Sequence, residues 1–146
     1  MLNKIIEEKP IVYSCSGCSN AAQMANYIAL QIDRKGIAEM SCIAGVGGNV
    51  KKLVRTAKSG RKIIAIDGCA LACSKACLSD HDIEPDVHFD LTRFGVHKKL
   101  HQAFDMEDAA RILHDIETQL NVSSDHSSTK PHAGPGKPSM RIVTPM

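Results

Sequence analysis

Lys62-Ile63-Ile64-Ala65-Ile66-Asp67-Gly68-Cys69 is the stretch that decides the fold. A short, unbroken apolar run that ends abruptly in Asp-Gly marks a central strand covered on both faces, since a half-exposed strand would alternate with polar residues. Such strands belong to parallel sheets, whose crossover connections lay helices on each side. Upstream, Ile11-Val12-Tyr13-Ser14 after Pro10 reads as a first strand. A helix from about Ser19 to Lys35 follows, because Ala21, Ala25, Ile28 and Ile32 recur with helical spacing and Gly36 supplies a stop.

A second strand is expected from Glu39 to Ala44, then a turn at Gly45-Val46-Gly47-Gly48. Asn49 would cap a helix carrying Val50, Leu53, Val54 and Ala57 inward, ended by Gly60. Downstream of the central run, the pattern predicts a helix from Ala70 to about Asp80 and a short strand from Val87 to Leu91. A final helix is capped by Asp105 and striped by Met106, Ala109, Ala110, Leu113, Ile116 and Leu120. The expectation is an α/β three-layer sandwich with a mainly parallel sheet of about four strands in the flavodoxin-like order 2-1-3-4. Residues 1–120 form its single cysteine-rich domain. From Asn121 to Met146 the composition turns to Ser, His, Pro, Gly and Lys, so a flexible tail is expected there.

Charge and composition exclude several functions. Residues 1–120 hold fifteen Lys or Arg against fifteen Asp or Glu, and the net charge of +2 comes from Lys130, Lys137 and Arg141 against Asp125 in the tail. With Tyr13, Tyr27, Phe89, Phe94 and Phe104 as the aromatic residues, stacking platforms are scarce and no nucleic-acid partner is expected. No apolar run approaches the ~20 residues that span a bilayer, and Glu7 and Glu8 interrupt the start of the chain, so neither a membrane nor a secretory route is expected. A cytosolic location keeps thiols reduced, and clustered cysteines there point to metal or redox chemistry.

The cysteines are placed for it. Cys15 and Cys18 follow the first strand, while Cys69 and Cys73 follow the third. In the order 2-1-3-4 those strands are neighbours at the point where the winding reverses, so the two pairs meet in the crevice where such sheets bind ligands. Cys15-Ser16-Gly17-Cys18 lets two sulfurs grip one ion from a tight turn, and Cys69 and Cys73 are one helical turn apart. Together they form a four-cysteine set suited to zinc, with Zn–S near 2.3 Å. Cys77 lies about 12 Å along a helix from Cys69, too far for the same ion unless the helix begins late. Cys42 reads as a core residue of the second strand. Asp67 either supports a ligand from behind or caps the following helix.

Other motifs carry less. Gly45, Gly47 and Gly48 lack the Gly-Lys-Ser of a phosphate loop and read as a turn. A phosphatase-like loop needs an Arg shortly after its cysteine, where Ala21 and Ala22 stand. Neither a Gly-x-Ser-x-Gly elbow nor a His-Glu-x-x-His helix is present. His81 reads as a loop residue; His97 and His101 are four apart, a spacing that would put them on one face if the segment were helical, and read as surface residues.

Three stretches carry a family likeness: Tyr13-Ser-Cys-Ser-Gly-Cys-Ser19, Ser41-Cys-Ile-Ala-Gly-Val-Gly-Gly48 and Asp67-Gly-Cys-Ala-Leu-Ala-Cys-Ser-Lys-Ala-Cys77. Over roughly residues 10–120 the chain resembles the DGC domain family, prokaryotic proteins named for their Asp-Gly-Cys motif. The resemblance implies zinc binding through four cysteines without an established activity. Carried onto this chain it favours Cys15, Cys18, Cys69 and Cys73, with Cys42 and Cys77 also inside matching motifs.

The expected function is zinc binding, structural or regulatory, with no hydrolytic activity, because four protein ligands leave no open coordination position. The alternative is a redox protein using the same cysteines, either an iron–sulfur carrier or a thiol–disulfide oxidoreductase led by Cys15 and Cys18. A third reading is a metallochaperone or sensor whose tail histidines, His126 and His132, help exchange the ion.

Overall fold

The computed structural model describes residues 8–125 together with 141, 142 and 145. Four strands stand in the expected order, and all their pairings are parallel. They are β1 (Ile11–Ser14), β2 (Glu39–Met40), β3 (Ile63–Asp67) and β4 (Val87–Asp90). A fifth short strand, β5 (Arg141–Ile142), pairs in parallel with the outer edge of β4. The region expected to form a tail otherwise lies largely outside the described residues, His126 and His132 included.

Helix α1 (Asn20–Arg34) links β1 to β2. The chain then reverses across β1 to reach β3 through α2 (Ile43–Gly47) and α3 (Lys51–Ala57), and continues through α4 (Cys73–Ser79) to β4. Crossovers of one hand that step in opposite directions must cover opposite faces, and the core divides accordingly. On one face Val12, Ile64, Ile66, Val87 and Phe89 pack against α1 and against α5 (Met106–Asp125). On the other, Ile11, Tyr13, Ile63 and Ala65 meet Val46 of α2, Ala57 of α3 and Leu78 of α4. Every residue of β3 is buried, as its unbroken apolar run requires.

Helix α1 begins after Ser19, whose Oγ accepts from Ala22 N at 3.0 Å, and ends against Gly36, whose φ of +72° suits only glycine comfortably. Helix α5 is capped by Asp105, which accepts from Asp108 N at 2.9 Å. Its buried stripe includes Ala109, Leu113, Ile116 and Leu120 as expected and adds Ile112, whereas Met106 and Ala110 are exposed.

Three local expectations are corrected. The second strand stops at Met40, and the glycine-rich stretch expected as a turn contains the short helix α2. Gly45 leaves room for Leu53 of α3 and Gly47 for Cys77 of α4, so tertiary packing makes helical a segment whose composition disfavours helix. Helix α4 starts at Cys73 rather than Ala70, after Ala72 adopts a left-handed conformation with φ +52°. Among the described residues no helix is long and apolar enough to cross a membrane.

Candidate functional site

Cys15 leaves β1 with its amide still bonded to Ile66 O at 3.1 Å, so it remains in step with β3. The chain turns at Gly17, where φ is +148°, and the Gln23 side-chain amide donates to the Gly17 carbonyl. One strand away, Asp67-Gly68-Cys69 leaves β3 beside it. A Cβ on Gly68 would stand 2.5 Å from the carbonyl carbon of Ala21 and 2.7 Å from Ala22 N, so only glycine lets this loop press against the first turn of α1. That approach brings Gly68 N within 3.2 Å of Cys15 Sγ, to which it donates. The turns carrying the two cysteine pairs therefore meet at one edge of the sheet.

Asp67 fixes the second turn. Its Oδ1 accepts from Ser74 N at 2.8 Å, and its Oδ2 accepts from Ser74 Oγ at 2.8 Å and Lys75 N at 3.3 Å. The carboxylate thus caps α4 from the end of β3, where Ala72 offers no side chain to do so, and holds Cys73 at the helix start. The same Oδ2 lies 2.8 Å from His88 Nε2 of β4. Burial alone would raise the Asp67 pKa, but the bonds from His88 and Ser74 outweigh it and hold the group below its ordinary value.

His88 escapes a sequence reading aimed at cysteines. Its signal is alternation: Val87 and Phe89 face α1 and α5, so His88 must point to the α4 side, beside β3 and Asp67.

Each predicted cysteine can now be placed. Cys69 stays in the turn before α4, so it and Cys73 are not helical neighbours. Cys77 faces α2, its Sγ 2.9 Å from where a Gly47 Cβ would stand. Cys42 is exposed rather than core, because β2 ends before it; it caps α2, accepting from Gly45 N at 3.4 Å. All six cysteines are free thiols. Burial pushes Cys15 up to about 11; the Gly68 amide pulls against this, while Asp67, Cys73 and Cys69 nearby add to it. The donor chemistry suits a thiophilic ion. Among the described residues, however, no three His, Cys, Asp or Glu side chains stand in metal-holding geometry.

A strap from Gly95 to His101 crosses this edge, and His97 and His101 on it are exposed, as expected of surface residues, though not on a helix. Leu100 pairs with Ser19, and His101 N donates to Cys18 O at 3.2 Å. Asn20 clamps the strap: its amide donates to Lys99 O at 3.0 Å, its Nδ2 to His97 O at 2.9 Å, and its Oδ1 accepts from Lys99 N at 2.7 Å. Lys98, itself exposed, donates from Nζ to Cys69 Sγ at 3.4 Å. His81 lies elsewhere, its Nε2 2.7 Å from Val46 O.

The profile of the DGC domain matches residues 11–116, from the first residue of β1 into the last helix. The chain belongs to the DGC domain family. A relative, the anaerobic and virulence modulator AnvM of Pseudomonas aeruginosa, is 51% identical over 111 residues, which are 76% of this chain and 85% of AnvM. No solved structure matches the chain significantly. In this DGC domain each member of the Asp-Gly-Cys triplet has a separate physical task. Asp67 caps α4, Gly68 admits α1, and Cys69 accepts a hydrogen bond from Lys98 of the strap.

Proposed function

We propose that this DGC domain is a regulatory module that binds one zinc ion through Cys15, Cys18, Cys69 and Cys73. The observation that carries the reading is the bond from Gly68 N to Cys15 Sγ at 3.2 Å, made beneath the close approach of Gly68 to Ala21. It joins two turns that each carry a cysteine pair. Forming the ligand set from this arrangement takes side-chain rotation in those turns, since no three donors are yet grouped among the described residues. Zinc held by four thiolates would tie the two turns together and, with no open position, would supply no hydrolytic water. A non-catalytic role accords with the name of AnvM, a modulator. A reducing compartment such as the cytosol would keep the thiols available.

The test is metal analysis with a visible spectrum after aerobic and anaerobic purification. A colourless protein with one zinc per chain is expected, and Cys69→Ser should lower that content. Unchanged stoichiometry in Cys69→Ser would remove this residue from the ligand set.

A second reading is favoured by Cys77, which lies near enough to Cys73 for their charges to interact and extends the row of thiols beyond four. Five sulfurs on one edge would suit an iron–sulfur cluster, and the word anaerobic in the name of AnvM fits oxygen-sensitive chemistry. Brown protein containing iron and sulfide after anaerobic purification would decide for it.

A further inference from the structure

We propose that two copies of this chain associate through charge, the basic face of α3 on each copy docking against the acidic loop that follows α4 on the other. The proposal is independent of the zinc reading, since neither surface contains one of the four cysteines assigned to the ion.

Charge is segregated along the chain. Residues 40–66 hold six Lys or Arg and no Asp or Glu, whereas residues 76–92 hold five Asp or Glu and no Lys or Arg. Lys51, Lys52, Arg55 and Lys58 are exposed on or just after α3, and Asp80, Asp82 and Glu84 are exposed on the loop. Neither set is neutralised internally. Among the described residues Lys35, Arg61 and Arg111 have carboxylate partners, yet none of these four cations or three carboxylates stands within ion-pair distance of an opposite charge.

Helix α3 is strained by its own charges. Lys51 and Lys52 each lie three or four positions from Arg55, and Arg55 lies three from Lys58, spacings at which like charges on a helix repel. Lys51 and Lys52 also occupy the first turn, at the positive end of the helix, and no acidic residue accompanies them there. An anionic surface laid on this face would offset that repulsion, and the chain carries such a surface itself.

The placement suits a symmetric pair. Leu53 fills the space beside Gly45, which fixes α3 on α2. His81 Nε2 lies 2.7 Å from Val46 O and Ile83 N donates to Leu78 O at 3.1 Å, which fixes the loop on α2 and α4. Val46, Ala57, Leu78 and Ile83 share one apolar cluster, so both surfaces belong to one helical layer on one face of the sheet. A two-fold axis running between two such layers turns α3 of each copy onto the loop of the other and makes both contacts at once. Val50, half exposed at the head of α3, adds apolar surface beside the lysines. Other anionic partners fit less well. Residues 41–62 include no aromatic side chain to stack on a base, and Leu53 and Val54 are partly buried rather than free to enter a bilayer.

The experiment is sedimentation of the full chain over a range of concentrations, at low and high salt. Reductant and chelator are present, so that neither a disulfide nor a metal ion joins the copies. Wild type is compared with Lys51→Glu/Lys52→Glu, with Asp80→Lys/Glu84→Lys, and with Arg93→Glu/Lys99→Glu, which alters net charge outside both surfaces. Asp82 is left in place because its φ of +58° accommodates Asp more readily than Lys. Glu in the first turn of α3 and Lys at the end of α4 both suit the helix dipole, so thermal unfolding should show both reversed chains folded. Wild type should dimerise, with a dissociation constant that rises about tenfold from low to high salt as screening weakens the attraction. Each reversed chain alone should stay monomeric where wild type is dimeric, while Arg93→Glu/Lys99→Glu should behave as wild type. An equimolar mixture of the two reversed chains should dimerise again, because both contacts then join opposite charges. A wild type that stays monomeric at low salt would overturn the proposal and leave the α3 face to a different acidic partner. Reversed chains that dimerise as well as wild type, or a mixture that stays monomeric, would overturn it too. None of these outcomes bears on zinc content.

Discussion

At Asp67 a carboxylate with 1% of its surface exposed meets donors from three residues, Ser74, Lys75 and His88. Removing one partner from a buried charged network strands the others, so Asp67→Ala should cost about 3 kcal/mol, read from urea unfolding. The sign with pH follows from the lowered pKa. The unfolded carboxyl titrates near its ordinary 3.8 and the folded one below it, so Asp67 stabilises fully above that value and loses its contribution as pH falls through the folded pKa. The unfolding midpoint of wild type should fall through this acid window more than that of Asp67→Asn. Cys15 behaves in the opposite way. Its thiol is raised from 9.0 to about 11, so its contribution is complete below pH 9 and drains away as pH climbs toward 11. In the metal-free native chain Cys15 should also be the last thiol alkylated by iodoacetamide at pH 8, since the thiolate is the reactive form. Early labelling of Cys15, mapped by mass spectrometry, would contradict the burial argument.

Among the elements, the loop after β3 is the least tolerant of change. A methyl at Gly68 would collide with the backbone of α1, and backbone cannot move aside as a flexible side chain can. Gly68→Ala should therefore destabilise by about 3 kcal/mol and separate the two cysteine turns. Gly45→Ala should cost less, since the group it meets is the end of the Leu53 side chain. Asn20→Ala should leave α1 in place, because Ser19 still caps it, while amide exchange at Lys99 speeds up as the clamp is lost. The elements differ in how far their sequence announces them. Helix α1 and strand β3 are legible because apolar period, cap and stop agree. Helix α2 is not, because Gly45 and Gly47, two of its glycines, owe their value to the space they leave for Leu53 and Cys77. The late start of α4 is only partly legible: the sequence offers Asp67 as a cap of that helix, but not that it reaches across the turn as far as Ser74.

For the whole molecule, the strand order could be read from the alternation of apolar runs and helical patterns, and with it the edge where Cys15 and Cys69 converge. Strand β5 could not, since Arg141–Ile142 follows a polar stretch and gains strand character only by pairing with β4. Lys98 and His88 were also out of reach: each acts through a neighbour 20 or more positions away, Lys98 on Cys69 and His88 on Asp67. Because β3 is central and buried on both faces, Ile66→Ala should lower stability by about 3 kcal/mol, measured by chemical unfolding, and weaken zinc uptake in step with it. The most direct measurement of the central claim is zinc-edge X-ray absorption on the anaerobically purified chain, with Cys15→Ser and Cys69→Ser beside wild type. Four sulfur neighbours at about 2.3 Å, reduced by one in each variant, are predicted. A zinc shell that keeps its sulfur count in either variant, or that draws sulfur from only one of the two turns, would contradict it.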